Sequence, residues 1–273
     1  MIFETSDDIE LYYETYGDDG DKPVVLVHGL GAEGGMWGPQ IENYPSEGLF
    51  LIVPHVRGHG KTSKVKEFRI GDCARDIKEL LDHLGVDRAS LAGVSMGGVI
   101  VQQFACDFPD RVEKLVIADS FSEVSGLLDR LRGWSQWLTI KLAPGLLVKS
   151  LGSVYGGPGE EKALKYFRES YVGMDKEQLL KARAALNRFD ITDRLERVES
   201  PALILVGDGF GDAAISWARK TADLLRNSRL EVLKGGKDPS NLVVPEQFDH
   251  EVLSFLNSPE GGWLTKRGET HFL

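Results

Sequence analysis

The sequence predicts an α/β protein: a mostly parallel, doubly wound β-sheet with a helical cap. Three observations carry that reading. Three short runs, residues 23–28, 49–54 and 89–94, are apolar almost without interruption, as strands covered on both faces must be. Between the second and third, residues 70–84 are apolar at helical spacing and Gly85 supplies a stop. After the third run strand and helix keep alternating, the pattern of a parallel sheet wrapped on both sides.

Residues 9–16 alternate in part and end at Gly17-Asp-Asp-Gly-Asp, which predicts an early exposed strand closed by a tight turn. Following the three apolar strands, the pattern predicts a helix over about 97–108 and strands at 114–118, 202–206 and 230–233. A last helix begins near Pro245. Residues 121–195 show helical segments and no strand pattern. An all-helical insertion there reads as a cap over the strand ends, where ligands bind in open α/β sheets. The expected organisation is a core of residues 1–120 and 196–257, a cap of residues 121–195 and a Gly-rich tail of residues 258–273. Trp134 and Trp137, three apart on one cap helix, share a face and are candidates to line the pocket.

With 273 residues, 42% of them hydrophobic, the chain can bury a full core. A formal charge of −10 leaves no surplus of Lys and Arg for phosphates, which argues against nucleic acid or an anionic membrane as partner and for a small neutral molecule. The first residues lack a charged stretch followed by an apolar one, and no apolar run approaches the roughly 20 residues needed to span a bilayer, so a cytoplasmic protein is expected. Cys73 and Cys106 fall in helical patterns and match no metal-ligand spacing. They read as reduced thiols, and neither a metal nor a cofactor is expected.

The strongest chemical signal is Gly93-Val94-Ser95-Met96-Gly97, a G-x-S-x-G between a predicted strand and a predicted helix. The glycines clear side chains from a turn too tight for them, and the helix that follows aims N–H dipoles at any negative charge formed near the serine. In this context the chain resembles the α/β-hydrolase superfamily, in its capped group of esterases, lactonases, C–C hydrolases and cofactor-free relatives, over roughly residues 8–256. His28-Gly29-Leu30-Gly31 is similar to that family's turn after the third strand. Arg57-Gly58-His59-Gly60-Lys61-Thr62-Ser63 is similar to its R-G-x-G-x-S loop. The resemblance implies Ser95 as nucleophile, the N–H groups of Leu30 and Met96 as oxyanion hole, and His28, Gly29 and Phe210 among the residues around the pocket.

The same comparison exposes departures. The family's acid, three residues past the glycine of residues 202–207, falls on Phe210, which leaves its neighbours Asp208 and Asp212 as candidates. The family's histidine place falls on Lys237 in Leu233-Lys-Gly-Gly-Lys-Asp-Pro. His55 stands where relatives generally carry aspartate and is expected to support its loop; His59 is expected in an exposed loop, His83 on an outward helix face, and His271 in the tail.

Three functions are open on these residues. Lys237, made neutral by burial, serves as base for Ser95 in the hydrolysis of a small ester or lactone. Alternatively, Lys237 is itself the nucleophile and forms a Schiff base with a carbonyl compound, as a redesigned active site would. In the third account the protein binds a small ligand and turns nothing over.

Overall fold

The apolar runs become the middle of one eight-stranded sheet in the computed structural model, which describes residues 1–124, 126–157, 159–173 and 175–259. The strands are β1 (Ile2–Glu4), β2 (Glu10–Tyr16), β3 (Lys22–Val27), β4 (Leu49–Pro54), β5 (Ala89–Val94), β6 (Val112–Ala118), β7 (Ala202–Gly207) and β8 (Ser228–Leu233). Their order is β1-β2-β4-β3-β5-β6-β7-β8. Pairing is parallel from β4 across to β8, and β1 and β2 add an antiparallel edge. Every residue of β4, β5 and β7 is buried, the consequence of helices on both faces. The outer strand β8 is only half-covered and carries Arg229 and Glu231, charges that blunt an open edge. Strand β1 has three residues, too few to leave a period in the sequence.

The helices are α1 (Gly38–Asn43), α2 (Ile70–His83), α3 (Met96–Asp107), α4 (Leu127–Leu142), α5 (Pro144–Val154), α6 (Glu161–Gly173), α7 (Lys176–Leu186), α8 (Thr192–Leu195), α9 (Asp212–Leu224), α10 (Ser240–Val243) and α11 (Pro245–Asn257). One face of the sheet packs Leu80, Ile100 and Phe104 from α2 and α3 with Ala218 from α9. On the other, Trp37, Tyr44, Phe248 and Phe255 form the second core layer. Burying a side chain such as Phe104 or Phe248 completely stabilises the fold by roughly 1.5–3 kcal/mol. Lys114 is buried yet satisfied: its Nζ donates to the carbonyls of Phe255, Leu256 and Ser258 at 2.9, 3.0 and 2.6 Å, where the free C=O groups ending α11 favour a cation.

Between β6 and β7 the chain forms α4 to α8, and the only strand-like pairing among the described residues there is a bridge from Glu123 to Asp190. No helix among the described residues is long and apolar enough to cross a membrane. One histidine differs from expectation: His59 is buried, because its loop folds back under Phe68. His83 is exposed on α2, where its ring stacks on Phe3 with centroids 4.6 Å apart.

The β5–α3 turn is packed to backbone contact. A Cβ on Gly97 would lie 2.0 Å from the Val27 carbonyl oxygen, and one on Gly93 would lie 2.2 Å from that of Gly97. Gly97→Ala is therefore expected to cost about 1–3 kcal/mol of stability, read from urea unfolding. An unchanged midpoint would show that the turn can yield.

Candidate active site

Ser95 occupies the point where β5 must become α3 without room for a loop, and its backbone sits at φ +57°, ψ −116°. A non-glycine residue at positive φ is strained by roughly 1–3 kcal/mol and persists only when its surroundings hold it. Here the Ser95 N–H donates to the Ala118 carbonyl at 2.9 Å, and the Ser120 hydroxyl donates to the Ser95 carbonyl at 2.9 Å. The turn after β3 closes from the other side: a Cβ on Gly29 would stand 3.4 Å from that of Ser95. Leu30 follows Gly29, and Met96 is the first residue of α3, where an N–H has no acceptor within the helix.

The group that faces the Ser95 hydroxyl is Asp238, whose ionised carboxyl the hydroxyl favours. Lys237 is directed elsewhere. Its Nζ donates to the Val154 carbonyl at 2.7 Å and pairs with Glu160 at 2.7 Å, both in the helical insertion. Burial works against the charge on Glu160, but hydrogen bonds from Lys237 and the Gly157 N–H outweigh it and hold the carboxyl below its usual range. The assignment of Lys237 to the histidine's place is thus one residue early. The reason is a tight junction of two loops: Gly209 N–H donates to the Gly236 carbonyl at 2.8 Å, and a Cβ on Gly209 would lie 2.6 Å from Lys237 Cγ. Lys237 lies against the β7 loop, and the next residue turns in toward the serine. The Asp238–Pro239 peptide is cis, and the Tyr155 hydroxyl donates to the Asp238 carbonyl.

Behind Asp238 stands a second carboxyl, Asp119, at the end of β6 with φ +48°. It accepts from the Gly207 N–H at 3.0 Å and the Ser240 N–H at 2.7 Å, and the Ser240 side chain is buried beside it. Burial raises the Asp119 pKa above the ordinary value, and these hydrogen bonds offset part of the rise. For Asp238 burial and then the Asp119 charge act in the same direction, against one hydrogen bond from Ser95, and push its pKa up to about 8. Near neutral pH the pair holds a proton, with Asp119, fixed by two backbone donors, better placed to keep the charge.

The other expected site residues lie apart from this centre. Asp208 is exposed and accepts from the Gly235 N–H at 2.7 Å, Asp212 opens α9 in solvent, and Phe210 is 48% exposed. None reaches the serine, because the β7 loop is pressed onto the β8 loop by its glycines. Trp134 is 61% exposed and stacks edge-on with Trp137 at 5.6 Å on the outer side of α4, so the two do not converge on Ser95. His28 is a buried brace: it donates from Nδ1 to the Gly29 carbonyl and accepts at Nε2 from the Val56 N–H, with burial driving its pKa well below the ordinary value. Buried His55 accepts from the Lys61 N–H at 3.1 Å and supports the 57–63 loop. His271 lies outside the described residues. Two surface cavities, of about 290 Å³ beside β8 and α11 and about 210 Å³ beside Glu123 and Trp217, do not include Ser95.

Asp119 and Asp238 were both missed in the sequence. A signal existed for each: Asp119 follows directly on a buried strand at its carboxyl end, and Asp238 precedes a proline beside a glycine pair.

A parallel sheet of this order, with a serine at positive φ between β5 and α3, is the α/β-hydrolase fold. The sequence profile of the alpha/beta hydrolase fold matches residues 22–153. Among curated relatives, 3-oxoadipate enol-lactonase 2 of Acinetobacter baylyi is 26% identical over 255 residues, covering 91% of this chain and 93% of that protein. A protein of Rhizobium rhizogenes assigned as the carbamate hydrolase RutD is 29% identical over 263 residues, covering 91% and 98%. The solved structure of the esterase EaEST from Exiguobacterium antarcticum superimposes with a TM-score of 0.85 at 22% identity, covering 94% of this chain and 99% of that one.

The raised carboxyl has a consequence for stability. Below the ordinary value of 3.8, Asp238 is protonated in folded and unfolded chains alike; between 3.8 and about 8 only the unfolded chain ionises, so stability falls as pH rises through that window. Asp238→Asn keeps the shape without the titration. It is expected to melt about 3 °C or more above the parent near pH 8, with the gap closing toward pH 4, by calorimetry.

Proposed function

We propose that the protein hydrolyses a small ester or lactone, with Ser95 as nucleophile, Asp238 as general base and Asp119 as the charge that tunes that base. The observation that carries this is a desolvated carboxyl, Asp238, facing the Ser95 hydroxyl with the second carboxyl of Asp119 behind it. A serine hydroxyl is weak until a positioned group takes its proton, and a carboxylate of ordinary pKa does so poorly. Raised to about 8, Asp238 enters the range in which general bases work near neutral pH. The named relatives, an enol-lactonase and an esterase, act on bonds of this kind and support the substrate class.

In the reaction the Asp238 carboxylate takes the proton of Ser95 as Oγ bonds to the substrate carbonyl carbon. The carbonyl oxygen gains the charge and faces the N–H groups of Leu30 and Met96, each such donor contributing roughly 3–4 kcal/mol to the transition state. Protonated Asp238 gives its proton to the departing alkoxide as the C–O bond breaks, leaving an acyl-serine. Water then attacks that ester, again giving its proton to Asp238, and Ser95 leaves with the proton returned. The helical insertion acts as a cap, tied down by Lys237 through Glu160 and Val154. Those same contacts leave Lys237 without a free amine, which disfavours Schiff-base chemistry.

The test is kcat/KM for 4-nitrophenyl acetate and a simple lactone from about pH 6 to about pH 9. One ionisation near pH 8 is expected, with the rate rising as the base deprotonates. Ser95→Ala abolishes turnover, Asp238→Asn lowers it about 100-fold or more, and Asp119→Asn moves the midpoint to lower pH. Asp238→His, with Asp119 in place to orient the imidazole, raises the rate near pH 7. Lys237→Met leaves the midpoint where it was. A flat profile, or an Asp238→Asn protein as fast as the parent, would sink the mechanism.

A further inference from the structure

Helix α4 is amphipathic in an unusual sense: its better apolar face looks outward. Gly133 and Ile140, seven residues apart, are buried, and the helix packs through them. A Cβ on Gly133 would lie 2.3 Å from Asn187 Oδ1 and 2.9 Å from an Arg183 nitrogen, so α4 and α7 are already in close contact on that side. Leu131 and Leu138 are also seven apart but two residues out of step, which places them about 200° round the helix. With Leu127, Trp134 and Leu142 they form a continuous outward stripe at spacings of four, three, four and four. These side chains are exposed, Leu127 by 74% and Leu142 by 70%, and Leu146 at 57% extends the stripe onto α5. An apolar patch of that continuity on a water-facing helix marks an interaction surface.

The charges beside the stripe identify the partner. Arg130 and Lys141 border it on one side, at about 60–80° from its centre line, and Arg132 lies about 120° away on the other. Lys149 is exposed on α5. The helix has one acid, Asp129, and this is already engaged by Arg132 and the Trp217 N–H. A cationic border in a chain of net charge −10 is a local concentration of sign that the overall charge conceals. Two copies docking through this face would bring like charges together along both borders; an anionic surface with an apolar interior complements both features. Trp134 and Trp137, with apolar rings and polar N–H groups, suit the depth at which head groups meet acyl chains. The Lys141 ammonium, 4.8 Å from the Trp137 ring centroid, lies at the same level of the helix.

We infer that the outer face of α4 and the start of α5 is a docking surface for anionic lipid bilayers, on which α4 lies in the plane of the interface. The net-charge argument against an anionic membrane fails locally because it averages over the whole surface. This inference does not depend on the chemistry of Ser95.

The experiment is co-sedimentation of the full chain with vesicles of equimolar phosphatidylglycerol and phosphatidylcholine, and with phosphatidylcholine alone. Tighter binding to the anionic vesicles by about tenfold or more is expected, weakening as salt is raised, with a blue shift of tryptophan emission. Leu131→Glu with Leu138→Glu abolishes binding while circular dichroism and Tm stay as in the parent; Arg130→Glu with Lys141→Glu loses the preference for anionic lipid. Quenching of Trp134 by brominated acyl chains reads insertion in the unmodified chain and needs no variant to fold. Equal, negligible sedimentation with both vesicles, or binding that survives Leu131→Glu with Leu138→Glu, would overturn the inference. So would a concentration-dependent dimer in analytical ultracentrifugation that those two substitutions abolish, since a second copy would then be the occupant.

Discussion

Everything in the centre of this molecule depends on a turn with no space in it. The sheet hands the chain from β5 to α3 across a single residue at positive φ, and Gly93, Gly97 and Gly98 let three backbones meet where any side chain would collide. That crowding keeps Ser95 in a strained conformation and sets the chain just past β3 and β6 against it. A looser turn would relax into the helix and withdraw the hydroxyl from the carboxyl ends of the strands.

What gathers there is a pair of carboxyls in place of an imidazole and its acid. A histidine is a base near neutrality in water; an aspartate becomes one only if the protein makes its charge costly. Removal of water and the neighbouring Asp119 do this for Asp238, while the backbone N–H groups of Gly207 and Ser240 hold Asp119 itself in place. The folded state bears that cost, which is why the raised carboxyl and the pH dependence of stability have one origin.

The fold was legible because its signals are periodic and redundant. Continuous apolar strands, the Gly85 stop and the glycines on either side of Ser95 each point to one architecture. The site was legible only where backbone geometry dictates residue type, as at Gly93, Ser95 and Gly97. It was misread at Lys237 because two neighbouring polar residues on a loop point to opposite sides, and sequence spacing does not say which faces inward. Asp208 and Asp212 look like acids in the right place, but the contact of Gly209 with Gly236 turns that loop outward. Asp119 depends on a backbone at φ +48° and on two donors from distant strand ends, a long-range arrangement with no local period.

The loop after β8 has a double attachment. Lys237 grips Glu160 and Val154, while the next residue presents the carboxyl to Ser95 and receives the Tyr155 hydroxyl on its carbonyl. The helices over the sheet therefore cannot lift without loosening bonds on two consecutive residues, one of them Asp238 itself. Lifting those helices and disturbing the Asp238 carboxyl are mechanically one motion, so the carboxyl keeps its place only while they stay down.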